Sequence, residues 1–265
     1  TSANWDPNKQ IEDIKILLEE EIDLLLIDPM DSTVVAAGLD KAMDAGVPVI
    51  LASSQVRDAP YVSRVAMNEE ERGELCADWL CRSISGGYVA VIASVPASGD
   101  SQAWLRGVRQ RLAAQSQVQA VVRHCPWSSP EARRIVSSML GESKPIDGVI
   151  VSNGVLGRGV VQAFVDQGVE IPPIAGGDDW NGWLRIAKEH RVHFMGLSGG
   201  ANMGLHCVDL ATKVLSGEPV PHHVEFPYEV FDERALDRLY RPDLSDHYWA
   251  INDLPKAWIE RMFKL

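Results

Sequence analysis

The sequence predicts an α/β chain of two doubly wound, parallel-sheet domains. Short apolar runs alternate with amphipathic segments along most of its 265 residues. Such runs suit strands buried on both faces of a parallel sheet, and their regular alternation with helices marks a doubly wound fold. The pattern also occurs twice. Ile22-Asp23 opens a strand that leads through a polar loop and a helix to Gly46-Val47-Pro48-Val49-Ile50, and Ile146-Asp147 opens another that leads to Gly168-Val169-Glu170-Ile171-Pro172. The two Asp-to-Gly spacings are 23 and 21 residues, as expected of two similar βαβ halves.

In chain order, strands are expected at 22–27 (IDLLLI), 47–51 (VPVIL), 61–67, 88–93 (YVAVIA), 120–122, 147–151 (DGVIV), 174–176 and 193–197. Helices are expected at 7–20, 34–45, 69–83, 101–114, 130–140, 157–167, 180–189 and 202–215. Asp6-Pro7 and Ser129-Pro130 are natural helix starts, and Gly46 and Gly168 are natural stops. A strand-like piece at 1–4 runs straight into the first helix, as though a domain had been entered part-way. The tail at 231–265 is less regular and rich in aromatic residues. It reads as a strap over a domain surface, ending in a short helix.

Composition narrows the function. With 46% hydrophobic and 23% charged residues, the chain has the make-up of a soluble globular protein, and no apolar run reaches membrane-helix length. No signal peptide is visible. A formal charge of −12, with no offsetting basic cluster, repels phosphate backbones and argues against nucleic-acid binding. Four cysteines are too few for a disulfide framework, and Cys76 and Cys81 lie about 140° apart around one predicted helix. There is no phosphate-binding loop, nucleophile elbow, zinc-protease helix or CxxC pair. Gly157-Arg158-Gly159 is a poor dinucleotide loop, His222-His223 reads as a solvated pair, and His124-Cys125 supplies only two metal ligands. Neither catalytic residues, a cofactor nor a metal is expected.

In open α/β sheets, ligands bind beyond the carboxyl ends of the strands. Asn68, Asn153, Asp178 and Ser198 all follow predicted strands. Amide, carboxylate and hydroxyl groups can bind a ligand's hydroxyls, although each of these residues would also serve as a turn former or helix cap. Trp104, Trp127, Trp180 and Trp183 fall near the same ends, and an indole face can cover the C–H side of a sugar ring or attract a cation. Trp127 sits in a loop where a core role is hard to arrange. Trp180 and Trp183, three apart on a helix, share a face, so either of them could simply be core.

A further set of landmarks runs along the chain: Pro29-Met30-Asp31-Ser32, Ala45-Gly46-Val47-Pro48-Val49-Ile50, Asn68 five residues before Gly73, Ser152-Asn153, Gly176-Gly177-Asp178, Met203-Gly204 and Leu215-Ser216-Gly217-Glu218-Pro219. In this order and spacing, from residue 1 to about 228, the chain resembles the type I periplasmic binding proteins of the ribose-binding branch. The resemblance implies two discontinuous domains joined by a three-stranded hinge. One would comprise 1–84 plus 199–228, with the family's first strand and helix missing, and the other 85–198 plus 229–265. It implies that Asn153 and Asp178 bind sugar hydroxyls and that Trp127 stacks on the ligand. Asn68 stands where an Asp is usual, Trp104 in place of a ligand-binding Arg, Ser198 in place of a Gln, and Gly177 in place of an aromatic. Trp180 completes the expected ligand-binding set. Without Arg and Gln, ribose itself is disfavoured against another pentose, a hexose or a linear polyol, and the aromatic enrichment leaves room for a cationic amine.

The function implied is that of a monomeric periplasmic receptor for an ABC importer. It would capture a small sugar or polyol between its domains by hinge closure and present the closed form to a membrane permease. Two alternatives share the fold: a ligand-binding partner of a membrane chemoreceptor or sensor kinase, and the effector-binding core of a LacI-type repressor.

Overall fold

The computed structural model describes residues 1–3, 6–142 and 144–265. Residues 1–3 lack the expected strand, and Asn4 lies outside the described residues. The chain divides into two compact units. The first comprises Thr1–Asn68, Ala97–Gln102 and Asn202–Pro227, and the second Glu69–Pro96, Ala103–Ala201 and Tyr228–Leu265.

The first unit is built on four strands, β1 (Leu25–Ile27), β2 (Val49–Ala52), β3 (Ser63–Ala66) and β9 (His223–Glu225), paired in that order. Every pairing is parallel. Helix α1 (Pro7–Glu19) starts where Asp6 accepts hydrogen bonds from the Asn8 and Lys9 N–H groups, with proline at the first helical position. With α2 (Ala36–Asp44) it covers a core of Ile14, Leu25, Ile27, Val35, Leu39, Ala42, Val49, Leu51 and Val56. The fourth strand is unanticipated: a three-residue segment, of which only Val224 is part-buried, lacks the apolar run that marks a strand in sequence. Next to it His222 is exposed and stacks on Tyr61 with ring centroids 4.4 Å apart.

The second unit has six strands in the order β10 (Val230–Asp232), β8 (Phe194–Leu197), β7 (Ile174–Gly176), β6 (Gly148–Val151), β4 (Gly87–Ala93) and β5 (Val118–His124). All pair in parallel except β10, which runs antiparallel to β8. Successive residues alternate between two cores. Ala90, Ile92, Val149, Val151, Ile174 and Phe194 face one. Val89, Val91, Ala93, Ile150, Ala175, Met195 and Leu197 face the other. A strand whose two faces are both buried needs apolar residues at every position, hence the uninterrupted runs.

The first of these cores is covered by α5 (Ser129–Leu140), α6 (Gly154–Gln167), α7 (Asn181–Glu189) and the short α9 (Leu236–Leu239). The other is covered by α3 (Glu69–Ser83), through Cys76, Ala77 and Leu80, and by α4 (Gly99–Ala113), through Trp104, Leu105, Val108 and Leu112. This corrects the domain boundary. Residues 69–83, expected in the first domain, belong to the second unit because their apolar face packs on its sheet. The chain also changes unit five times rather than three, since Ala97–Gln102 returns briefly to the first.

After α8 (Met203–Leu215) and β10, the tail forms a 3₁₀ turn at Glu233–Ala235, then α9, an irregular stretch and α10 (Lys256–Phe263). All four cysteines are free. Burial pushes the Cys76 thiol up to about 12, as befits an inert core group.

Candidate functional site

In the first unit, polar side chains gather where β1, β2 and β3 end. Ser53, at a backbone φ of 62°, donates its N–H to Val65 O at 2.8 Å. Its carbonyl accepts Arg64 Nε at 2.7 Å, and its hydroxyl donates to Asp100. Arg64 also pairs with Asp100 at 3.5 Å, and the Ser54 and Ser98 hydroxyls lie 3.4 Å apart. Asp28 follows β1. The residue as a whole is exposed, yet its carboxyl group is crowded by protein. That desolvation, reinforced by the Asp100 charge and opposed by a Ser54 N–H, pushes it up to about 7. Asn68 lies exposed two residues beyond β3.

The second unit carries a denser set along its carboxyl edge. Asn153, 4% exposed, caps α6 by accepting the Leu156 N–H at 3.0 Å, and its amide reaches the Ser152 hydroxyl. On the neighbouring strand end, Asp178, also 4% exposed, accepts the Gly154 N–H at 2.9 Å and the Trp180 N–H at 3.2 Å. The expected Asn and Asp are thus joined through the first residue of one helix. Burial, aided by the Asp179 charge, raises Asp178 to about 7 against the pull of those N–H groups and of Arg72. A carboxyl group with one backbone donor on each oxygen still has lone pairs to offer a ligand hydroxyl.

Trp127 stands 44% exposed beyond β5, and its indole N–H donates to the Ser94 hydroxyl at 2.7 Å, at the end of β4. Ser198 is buried. Its hydroxyl accepts the Glu229 N–H at 2.9 Å, and its carbonyl accepts Arg72 Nη1 at 2.9 Å. Since β6 and β7 lie between β8 and β4 in the sheet, Asn153 and Asp178 sit in the middle of this edge, with Ser198 on one side and Trp127 on the other.

Two expected site residues are placed elsewhere. Trp104 is 3% exposed and packs with Cys76, Leu80 and Val108 in the core between the sheet and its helices. Trp180 is 9% exposed, packed in the opposite core, with its ring over Gly182 and the Arg158 guanidinium 5.8 Å from its centroid. A ring enclosed by its own protein has no face to offer a solute, so both are corrected to core residues. Trp183, 0% exposed, is core as well.

Two further residues matter here in ways the sequence did not show. Arg72, on α3, is 7% exposed: it reaches Ser198, lies 3.2 Å from Glu69, and sits 5.1 Å from the centroid of the Tyr228 ring. It brings a guanidinium to the Asp178 neighbourhood, where the sequence suggested that none remained. Among three glutamates on a helix it reads as a solvated charge. Asp179 is fully buried and binds the tail instead of a ligand: its carboxylate accepts the Gly199 N–H at 2.7 Å and the Ile251 N–H at 2.6 Å, and its carbonyl accepts the Ala250 N–H. Neighbouring residues leaving a strand point apart, and here they divide the work between site and strap.

Among the described residues, no cluster of three or more His, Cys, Asp or Glu could hold a metal, and no helix is long and apolar enough to cross a membrane. Two α/β units with polar carboxyl edges, an exposed tryptophan and buried Asn and Asp make a scaffold for recognising a small polar molecule. The sequence of residues 1–219 matches the family model described as periplasmic binding protein domain, and the chain belongs to that family.

One relative is the ribose import binding protein RbsB of Bacillus subtilis, 24% identical over 230 residues, which are 86% of this chain and 74% of the relative. Among solved structures, an ABC transporter solute-binding protein of Agrobacterium vitis with bound D-fucose superposes with a TM-score of 0.83 at 22% identity, covering 90% of this chain and 84% of its own. A solute-binding protein of Bacillus halodurans with bound myo-inositol gives 0.82 at 19%, covering 89% and 83%. At these identities the structural likeness establishes the shared fold.

Proposed function

We propose that this protein is a periplasmic receptor of an ABC importer that captures a small sugar or cyclic polyol and catalyses no reaction. The observation that carries this is the buried Asn153–Asp178 pair at adjacent strand ends of the second unit, joined through Gly154 and flanked by the exposed ring of Trp127. Acceptors and donors fixed by backbone hydrogen bonds suit vicinal hydroxyls, and an indole suits the C–H face of a ring. The relatives support the same reading: one is named for ribose import, and the two structural neighbours hold D-fucose and myo-inositol.

Arg72, buried beside Ser198, supplies the cationic donor for which the family pattern uses another position. Asn68, Ser54 and Asp28 form a separate polar set on the first unit. Binding then selects the conformations that hold the solute best, and a permease would recognise the liganded form. No enzyme-type nucleophile or metal cluster is needed for this work.

Thermal-shift measurement against pentoses, hexoses, cyclic and linear polyols and small quaternary amines tests the reading. A ligand present at a hundred times its Kd should stabilise the folded state by about 2.7 kcal/mol, a rise of several degrees in Tm. A rise confined to sugars or polyols is the expected result. A rise only with amines would replace the sugar reading with a cation-binding one, and no rise across the whole panel would remove the receptor reading.

A further inference from the structure

The C-terminal segment lies beyond the matched family region, yet it is bolted to the most buried part of the second unit's carboxyl edge. Asp179 holds Ala250 and Ile251, as described. Asn181 donates its amide to the Arg241 and Leu244 carbonyls at 2.8 and 3.0 Å and accepts the Arg241 N–H at 3.0 Å. Its backbone N–H donates to Tyr248 O at 2.7 Å. Asp246 is gripped by Arg158 at 2.7 Å and Arg185 at 2.8 Å. Every one of these anchors lies on α6, on α7 or directly after β7, within a few residues of Asp178 or Asn153.

The residue fixed between the anchors is Trp249. Its backbone pairs antiparallel with Trp180, and its side chain packs against the edge of the core that holds Trp180 and Trp183, yet it is only half-buried, unlike the enclosed rings of Trp104 and Trp183. The benzene edge of the indole lies on Gly199, the residue after Ser198. A Cβ built there would come within 2.1 Å of Trp249 Cζ3, so only glycine admits the ring. At the strand ends next to Asp178, the side chains are small or absent: Gly177, Ser198 and Gly199. Any side chain at 199 would compete with the indole for this volume.

We infer that Trp249 is a ligand-contacting residue, a stacking platform carried into the solute site by the C-terminal segment. It would stand on the β8 side of the Asn153–Asp178 pair, opposite Trp127. The solute it favours is one with a flat C–H face, a furanose, pyranose or cyclic polyol ring, over a linear polyol, whose C–H groups present no such face. Asp179 is then a positioning residue that acts through the strap. This inference rests on the proposed receptor function and adds to it the ring shape of the substrate class and a residue outside the family's matched region.

The test measures affinities by calorimetry for D-ribose, D-fucose, myo-inositol and linear xylitol with wild type, Trp249→Phe and Trp249→Ala. Wild type should prefer a cyclic probe to xylitol. Trp249→Ala should weaken that probe roughly tenfold and reduce the preference, with Trp249→Phe in between, affinities being compared at a temperature where ligand-free melting shows each variant fully folded. In addition, wild-type protein labelled with 5-fluorotryptophan, its Trp249 resonance assigned from the Trp249→Phe spectrum, should shift that resonance on saturation with the cyclic probe. This second readout does not depend on the alanine variant folding. A Trp249 resonance unmoved at saturation, or a folded Trp249→Ala that binds the cyclic probe as tightly as wild type, would overturn the inference and leave the receptor reading standing. Wild-type protein that binds neither these four probes nor any member of the thermal-shift panel would refute that reading, and this inference with it.

Discussion

Asp178 illustrates how one residue can be half legible. Its position after a strand could be read from the sequence, but its protonation could not, because burial and the neighbouring Asp179 and Arg72 charges come from tertiary structure. With its folded-state value raised to about 7 from an ordinary 3.8, the folded protein holds a proton here that the unfolded chain releases above pH 4. The folded state therefore binds more protons than the unfolded state between about pH 4 and 7. Its contribution to stability is full below pH 4 and is lost as pH rises through 7, with a slope of at most about 1.4 kcal/mol per pH unit from this group. Urea titrations of ligand-free protein from pH 4.5 to 8 should show stability falling over this range, and the fall should be shallower in Asp178→Asn. An unchanged slope in the variant would show that Asp178 is ionised throughout. Arg72 and Trp249 were illegible for the same reason: nothing local distinguishes a buried guanidinium from a solvated one, or a site indole from a core one.

At the scale of elements, the helices and most strands followed from periodicity and capping, and the misplacement of α3 shows the limit. Its amphipathic face was readable, but the sheet it would choose was not. The reason for its choice lies in a close crossing with α4. A Cβ at Gly73 would fall 2.1 Å from the Trp104 carbonyl oxygen, and one at Gly107 would fall 1.9 Å from the Glu70 carbonyl oxygen. Two glycines on facing helices let the backbones touch, and Gly73, a family landmark in the sequence, is explained by packing instead of ligand contact. Since the obstacle is backbone and cannot rotate away, Gly73→Ala should destabilise by roughly 1–3 kcal/mol or more, read as a lower denaturation midpoint. Gly204→Ala, in an exposed turn of α8 with nothing within 4 Å of the new methyl, should be neutral or slightly stabilising. Equal effects of the two would refute the close-crossing account.

The whole molecule has unequal halves. The first unit has a four-stranded sheet with a small core beneath α1 and α2 and with α8 packed on β2 and β3, whereas the second has a six-stranded sheet with a larger core on each face. Burial of apolar surface is the main stabilising term, so the first unit should unfold under milder conditions. The tryptophans make this measurable: of eight, only residue 5 falls in the first unit's stretch of sequence, and the other seven are in the second. Denaturation of ligand-free protein followed by far-UV circular dichroism should begin before the change in tryptophan fluorescence. Superimposable curves would show that the units unfold as one.

The sequence alone determined the α/β class, the order of most elements and two of the polar residues at the centre of the candidate site, Asn153 and Asp178. These depend on local periodicity, on capping and on the rule that open sheets bind ligands at their carboxyl edge, all of which act within a few residues of chain. Tertiary structure decided which unit receives α3, that Trp104 and Trp180 belong to cores, that Arg72 turns inward, and that a distant C-terminal segment brings Trp249 onto Gly199. These outcomes depend on which surfaces meet across long stretches of sequence, and a side chain's burial is a property of the surfaces that enclose it, not of the residue itself.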